Sequence, residues 1–316
     1  MKQRVVLIIF GLVAIIVIGL AVYYSIEWPK YIKINDSNFP DPVFREEVES
    51  FDKNEDGKLS EKECLDVKYI NVNDSSIKSL QGIEYFPKLD KLDCRNCYLK
   101  ELDLSENIEL RNLDCAENSL KKLDLAQNID LAFVDCSENS ISELVLPDSS
   151  ELVTLTCNGN YLDRLDVSRY KKLDLLDCTD NELTRLDVRK NTKLTHLSFG
   201  ANQLTSIDVS KCTKLYMLSC EDNQISTLDV TKCPELAMLT CSHNQLSSLN
   251  LRRNKEIYML DCSFNNIEEL DVSNCVVRLA VSASYLSFDN NGVQFYSTLT
   301  SPPMSLACDS ETHLIY

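Results

Sequence analysis

Residues 260–275 read LDCSFNNIEELDVSNC. Cys262 in this stretch has a counterpart 21 residues earlier at Cys241, and another at Cys220. The same step continues through Phe199 to Cys178, Cys157, Cys136, Cys115 and Cys94. Three residues after each of these positions comes Asn118, Asn139, Asn160, Asn181, Asn202, Asn223, Asn244 or Asn265, with Cys97 in that place at the start. Two residues before each is Leu, or Val134 in one unit. An internal period of this length marks a repeat architecture, in which one unit cannot bury its apolar face alone and stacking supplies the core.

Slots are numbered here from the cysteine as zero. The unit reads L-x-x-L-x-C-x-x-N-x-L-x-x-L-D-L-S-x-N and resembles the leucine-rich-repeat pattern L-x-x-L-x-L-x-x-N/C-x-L. A strand alternates faces, so the Leu at −2 and the Cys at 0 point inward while −3, −1 and +1 point out. The Asn at +3 falls where the chain leaves the strand, and its amide can bond backbone groups otherwise buried without partners. The L-D-L that follows, as at Leu186-Asp187-Val188, predicts a second short extended segment rather than a helix. A slightly longer unit begins at Val67 with Val72 in the zero slot. The expected fold is a repeat solenoid of about ten short coils over residues 67–275, with a parallel β-sheet on its concave face. At about 4.8 Å per strand it is roughly 50 Å long.

The chain has 14 cysteines. A column that accepts Phe199 and Val72 is a core column, and parallel Cβ vectors in stacked strands suit neither disulfides nor tetrahedral zinc. The thiols are therefore expected to be free and buried, acting as small hydrophobes. Cys94-x-x-Cys97 has redox spacing, yet Cys97 merely fills the Asn slot of its unit. Cys212, Cys233 and Cys275 fall at +13, where other units carry Asn, and Cys275 with Cys308 could close the carboxy-terminal end.

Ahead of the repeats, Asp41-Pro42 is a helix start, with Phe44, Val48 and Phe51 following at helical spacing. Residues 52–63, DKNEDGKLSEKE, fit D-x-[DN]-x-[DN]-G-x5-E throughout. In an EF-hand-like calcium loop Asp52, Asn54 and Asp56 supply side-chain oxygens, Lys58 its carbonyl, Ser60 the water-mediated position and Glu63 a bidentate carboxylate. Ser60-x-x-Glu63 is also a capping box. Calcium here is expected to be weakly held and structural.

The formal charge is −17, which disfavours nucleic acid as a partner. After Lys2 and Arg4, residues 5–24 carry no charge. As a helix they span roughly 30 Å, a bilayer's hydrocarbon thickness. The basic amino side predicts a signal-anchor with the bulk of the chain outside. Cleavage near Ala21, giving a secreted protein, is the alternative. The domain reading is thus a cytoplasmic tail 1–4, the anchor 5–24, a linker 25–36, a calcium-loop cap 37–66, the repeats 67–275 and a β-rich carboxy-terminal cap 276–316.

The order of these segments resembles surface leucine-rich-repeat proteins of Gram-positive, often anaerobic bacteria. The resemblance implies a non-enzymatic binding or adhesion module for an extracellular protein or glycan, with no catalytic motif to carry over. Other readings are a structural envelope component without a specific ligand and, less well supported, a carboxylate-dependent hydrolase. The outward −3 column runs Lys91, Asn112, Phe133, Thr154, Leu175, His196, Met217, Met238 and Met259, with Tyr216 and Tyr258 beside it. Phe133, Leu175, Tyr216, Met217, Met238, Tyr258 and Met259 are the candidate partner-binding residues, because apolar side chains placed opposite the core suit an adaptable interface.

Overall fold

The computed structural model describes residues 30–272, residue 275 and the strands Gly292–Phe295, Ser305–Asp309 and His313–Ile315. The expected anchor 5–24 and residues 276–291 lie outside the described residues. Among the described residues no helix is long and apolar enough to cross a membrane.

Each repeat opens with three residues of strand at −3 to −1. These strands run from Tyr69–Asn71 (β3) to Met259–Asp261 (β14) and pair in parallel, residue for residue, as in Met217↔Met238↔Met259. The middle residue is buried and its neighbours are half-buried, for example around Leu197, Leu218 and Leu239. The expected alternation holds from −3 to the zero slot, whereas slot +1, expected to face out, is buried at Ala116, Ser137, Ser242 and Ser263, where the chain has already begun to turn away from the strand. On the far side of the coil only short stretches pair, including Lys122–Asp124 with Glu143–Val145.

The chain leaves each strand through a left-handed residue at +2. Asn96, Glu117, Glu138, Asp180, Ala201, Asp222, His243 and Phe264 all have φ between 49° and 54°, and Gly159 has 63°. An L-residue there costs about 1–2 kcal/mol, so something must hold it. Backbone N–H groups on both sides of the bend do so by donating to the next coil: Cys136 N to Thr156 O at 2.9 Å and Glu138 N to Asn158 O at 2.8 Å.

The Asn at +3 joins successive coils. Asn139 Nδ2 donates to Cys115 O in the preceding coil at 3.0 Å, and its Oδ1 accepts from Leu120 N of that coil at 2.9 Å. The same amide also bonds Cys136 O and Ser137 O in its own coil. Asn118, Asn160, Asn181, Asn202, Asn223, Asn244 and Asn265 repeat this pattern. Cys97 substitutes for the donor, its Sγ lying 3.1 Å from Val72 O.

Slot +13 solves a similar problem with three residue types. Asn107 and Asn128 donate to carbonyls of the preceding coil, Tyr170 Oη donates to Pro147 O at 2.8 Å, and Cys233 Sγ lies 3.7 Å from Val209 O. Asparagine leaves a buried Oδ1 without a protein partner at 107, 128, 191 and 254. Cysteine donates more weakly but carries no second polar atom to bury, which explains why the two alternate here.

At the amino end, Asp41 caps the helix Pro42–Glu49, and Phe44 and Val48 are buried. Tyr31–Lys33 (β1), within the stretch expected to be linker, is instead a strand antiparallel to Lys58–Ser60 (β2). Burial of Ile32 in the common core, at 4% exposed, accounts for the added strand. At the carboxy end Ser305–Asp309 joins the sheet in parallel beside β14, with Leu306 opposite Leu260, and Gly292–Phe295 closes that edge antiparallel. The cap is thus partly one more coil.

Ala201→Gly relieves the left-handed strain without removing any contact beyond Cβ. Thermal denaturation should show it more stable by about 0.5–1 kcal/mol, the left-handed cost less the glycine entropy.

Candidate binding face and calcium loop

The sheet's outer face is built from the −3 and −1 columns. Phe133 is 48% exposed and Tyr216 is 41% exposed, while Leu175, Met217, Met238, Tyr258 and Met259 are half-buried. Pairing places Met217, Met238 and Met259 side by side on consecutive strands. Tyr216 and Tyr258 lean together over the intervening Ala237, their hydroxyls 3.3 Å apart. His196 lies 5.9 Å from the Tyr216 ring, and its Nδ1 is 2.8 Å from Thr195 Oγ1, which donates to Asp174 Oδ1. Because the threonine hydrogen goes to Asp174, the ring nitrogen that faces Thr195 is the donor of that pair. Beyond the methionines, Ser219 Oγ, Thr240 Oγ1 and Glu221 Oε2 form a polar cluster with contacts of 2.7–3.0 Å. The structure brings together Tyr216, Met217, Met238, Tyr258 and Met259; Leu175 stands two strands from Met217, with His196 between them, and Phe133 two strands further on.

The amino end of the same face is acidic. Asp93, Asp114 and Asp135 occupy adjacent strands, and Tyr69 Oη and Lys91 Nζ both contact Asp93. Burial raises the Asp114 carboxyl above its usual range, with further upward pushes from Asp135 and Asp93. The outer L-D-L aspartates behave as turn formers: Asp166, Asp187, Asp208 and Asp229 each accept the N–H two residues on.

The thirteen cysteines with described side chains are all free and buried, Cys275 among them. Burial pushes the Cys136 thiol up to about 12 and Cys233 to about 12, so neither is nucleophilic at neutral pH. No redox pair forms at Cys94 and Cys97.

In the loop 52–63, Gly57 has φ 76° and its N–H donates to Asp52 Oδ2 at 2.7 Å. Asn54 Oδ1 accepts from Asp56 N at 3.0 Å. Lys58 contributes backbone to β2, and its ammonium sits 4.8 Å from the centre of the Tyr31 ring. Ser60 caps the helix Glu61–Asp66 through a complete capping box. Glu63 accepts from Lys53 N on one oxygen and from Ser60 N and Oγ on the other, and the Ser60 contacts lead in holding its carboxyl below the usual range. Among the described residues no three His, Cys, Asp or Glu side chains gather so as to hold a metal. The donor set is that of a hard cation, and both Glu63 oxygens already accept from protein groups.

The solenoid, its in-register parallel sheet and its asparagine ladder define the class: the chain has the leucine-rich-repeat fold. It is similar to the functional domain of InlJ from Listeria monocytogenes, described as including a cysteine ladder, at 30% identity and TM-score 0.72, over 78% of this chain and 58% of that one. An internalin, InlF, from the same organism matches at 21% identity and TM-score 0.58, over 76% and 83% of the two chains. A leucine-rich-repeat protein of Leptospira interrogans matches at 22% identity and TM-score 0.60, over 66% and 57%. The chain thus spans little more than half the length of the InlJ domain. No family model matches it, and no curated protein does.

Alkylation in denaturant without reductant should modify every one of the thirteen described cysteines, whereas the folded protein should resist. Mass spectrometry reads both, and an unmodified pair within the 94–262 column would mean a disulfide.

Proposed function

We propose that the chain is a non-enzymatic, extracellular binding or adhesion module that recognises a protein or glycan through the outer face of its sheet. The observation that carries this reading is the Met217–Met238–Met259 row, apolar yet set opposite the core, flanked by the Tyr216–Tyr258 pair. Methionine rows adapt to a partner's shape, tyrosines add area at small entropic cost, and the Ser219–Thr240–Glu221 cluster supplies polar direction. Attachment is through residues 5–24, which keeps this face outside the membrane. A carboxylate-dependent hydrolase is disfavoured because the acids recur in columns and bond their own turns.

Calcium at residues 52–63 belongs to the same reading as a stabiliser of the amino cap. Binding requires Glu63 to exchange its capping box for the metal, so the loop trades one set of charge-assisted bonds for another. That exchange predicts weak, millimolar-range affinity.

Replacing Met217, Met238 and Met259 together by Ser should weaken capture of a cell-surface partner at least tenfold, without lowering the melting temperature by more than a few degrees. Unchanged capture would remove the sheet face from consideration. Separately, millimolar calcium should raise the melting temperature of the wild type and leave that of Asp52→Ala unmoved.

A further inference from the structure

The turn at +11 to +15 carries the chain from the outer segment back to the sheet, and its charge reverses along the solenoid. In the first three coils it reads SENIE (105–109), AQNID (126–130) and PDSSE (147–151), with five acids and no base. In the next five it reads SRYKK (168–172), RKNTK (189–193), SKCTK (210–214), TKCPE (231–235) and RRNKE (252–256), with twelve Lys or Arg against two Glu. Slot +12 alone holds Arg169, Lys190, Lys211, Lys232 and Arg253, every one exposed. Parallel pairing of the coils stacks these five at about 4.8 Å per step, over roughly 20 Å.

Internal neutralisation is incomplete. Arg169, Lys172, Arg189 and Arg252 pair with Asp148, Glu151, Asp187 and Asp271. Lys190, Lys211 and Lys232 are in no ion pair among the described residues. The adjoining Asp166, Asp187, Asp208 and Asp229 accept backbone N–H groups of their turns and keep their charge beside these lysines, yet with the two Glu they number six against twelve bases. A basic ridge of this size in a chain of net charge −17 is a local reversal of the protein's field.

We propose that this ridge binds a linear anionic polysaccharide lying along the solenoid axis. A single file of cations at strand spacing suits an extended polymer that carries sulfate, phosphate or carboxylate at intervals, because each contact is weak and the row sums them. The five basic coils expose no large hydrophobic side chain on this turn, whereas Ile108 and Ile129 are exposed on the acidic coils. The ridge therefore has nothing to insert into a lipid surface. Tyr170, its only aromatic residue, is buried with its hydroxyl on Pro147 O, so there is no platform on which nucleobases could stack. The ridge is separate from the sheet face and stands or falls independently of it.

The test measures binding of the full chain to heparin, as a sulfated polysaccharide, and to polygalacturonate, as a carboxylated one, at several salt concentrations. The variant Lys190→Glu/Lys211→Glu/Lys232→Glu is compared with Lys62→Glu/Lys100→Glu/Lys121→Glu, which changes the total charge equally at exposed lysines elsewhere. The ridge variant should bind at least tenfold more weakly, with a salt slope shallower by about 2, three contacts at about 0.7 each. The control should lose less than threefold, and both should keep the wild-type melting temperature. Binding to either polymer upholds the proposal and identifies the anion recognised. Equal loss in both variants, no binding at low salt, or tighter retention by single-stranded DNA or anionic vesicles would overturn it.

Discussion

The fold depends on one side-chain amide per coil. The Asn at +3 donates to the zero-slot carbonyl of the coil before it and accepts from the N–H two residues beyond that coil's own +3 position. Each such bond is worth about 1 kcal/mol net, but its geometric effect is larger than its energy. It fixes the distance along the chain between bonded groups at 24 and 19 residues, and so holds the period at 21. The zero slot needs only volume, which is why Phe199 stands in it fully buried. The +3 slot needs a donor aimed at a carbonyl, and its one departure, Cys97, still supplies one.

A fixed period turns positions into columns, and columns into surfaces. The −3 and −1 columns make the sheet face, acidic around Asp114 and apolar around Met238. The turn at +12 makes a cationic edge on the same coils. Neither surface needs a loop or an insertion; each arises from residue choice at one slot, repeated or varied along the stack. A net charge of −17 therefore describes the chain and none of its faces.

The solenoid was legible because 21-residue spacing of Cys, Asn and Leu is visible without any structure. The buried state of the thiols followed from slot logic. Three features did not. The strand Tyr31–Lys33 is three residues long and pairs with Lys58–Ser60, outside the repeats, so no periodicity announces it. The strand Ser305–Asp309 carries the familiar Leu306-x-Cys308, but it lies out of step with the 21-residue count, and only its pairing with β14 reveals it. The basic edge was hidden by totalling charge over the whole chain, although reading slot +12 down the repeats would have found it. The loop at 52–63 shows the converse: its motif is complete, yet the capping box competes for Glu63, and a pattern match does not weigh that competition.

The return of the chain at Leu306 to the register of Leu260 has a bearing on how such a molecule can change. The strands Met259–Asp261 and Ser305–Asp309 pair in phase although more than one 21-residue unit of chain separates them. Extra chain between two coils leaves the ladder intact, whereas one residue lost inside a coil would misalign each amide with its carbonyl. The unit of tolerated change is thus the whole coil or the excursion between coils. A chain of this design can lengthen, shorten or acquire a new appendage by discrete steps while every remaining turn keeps its partners.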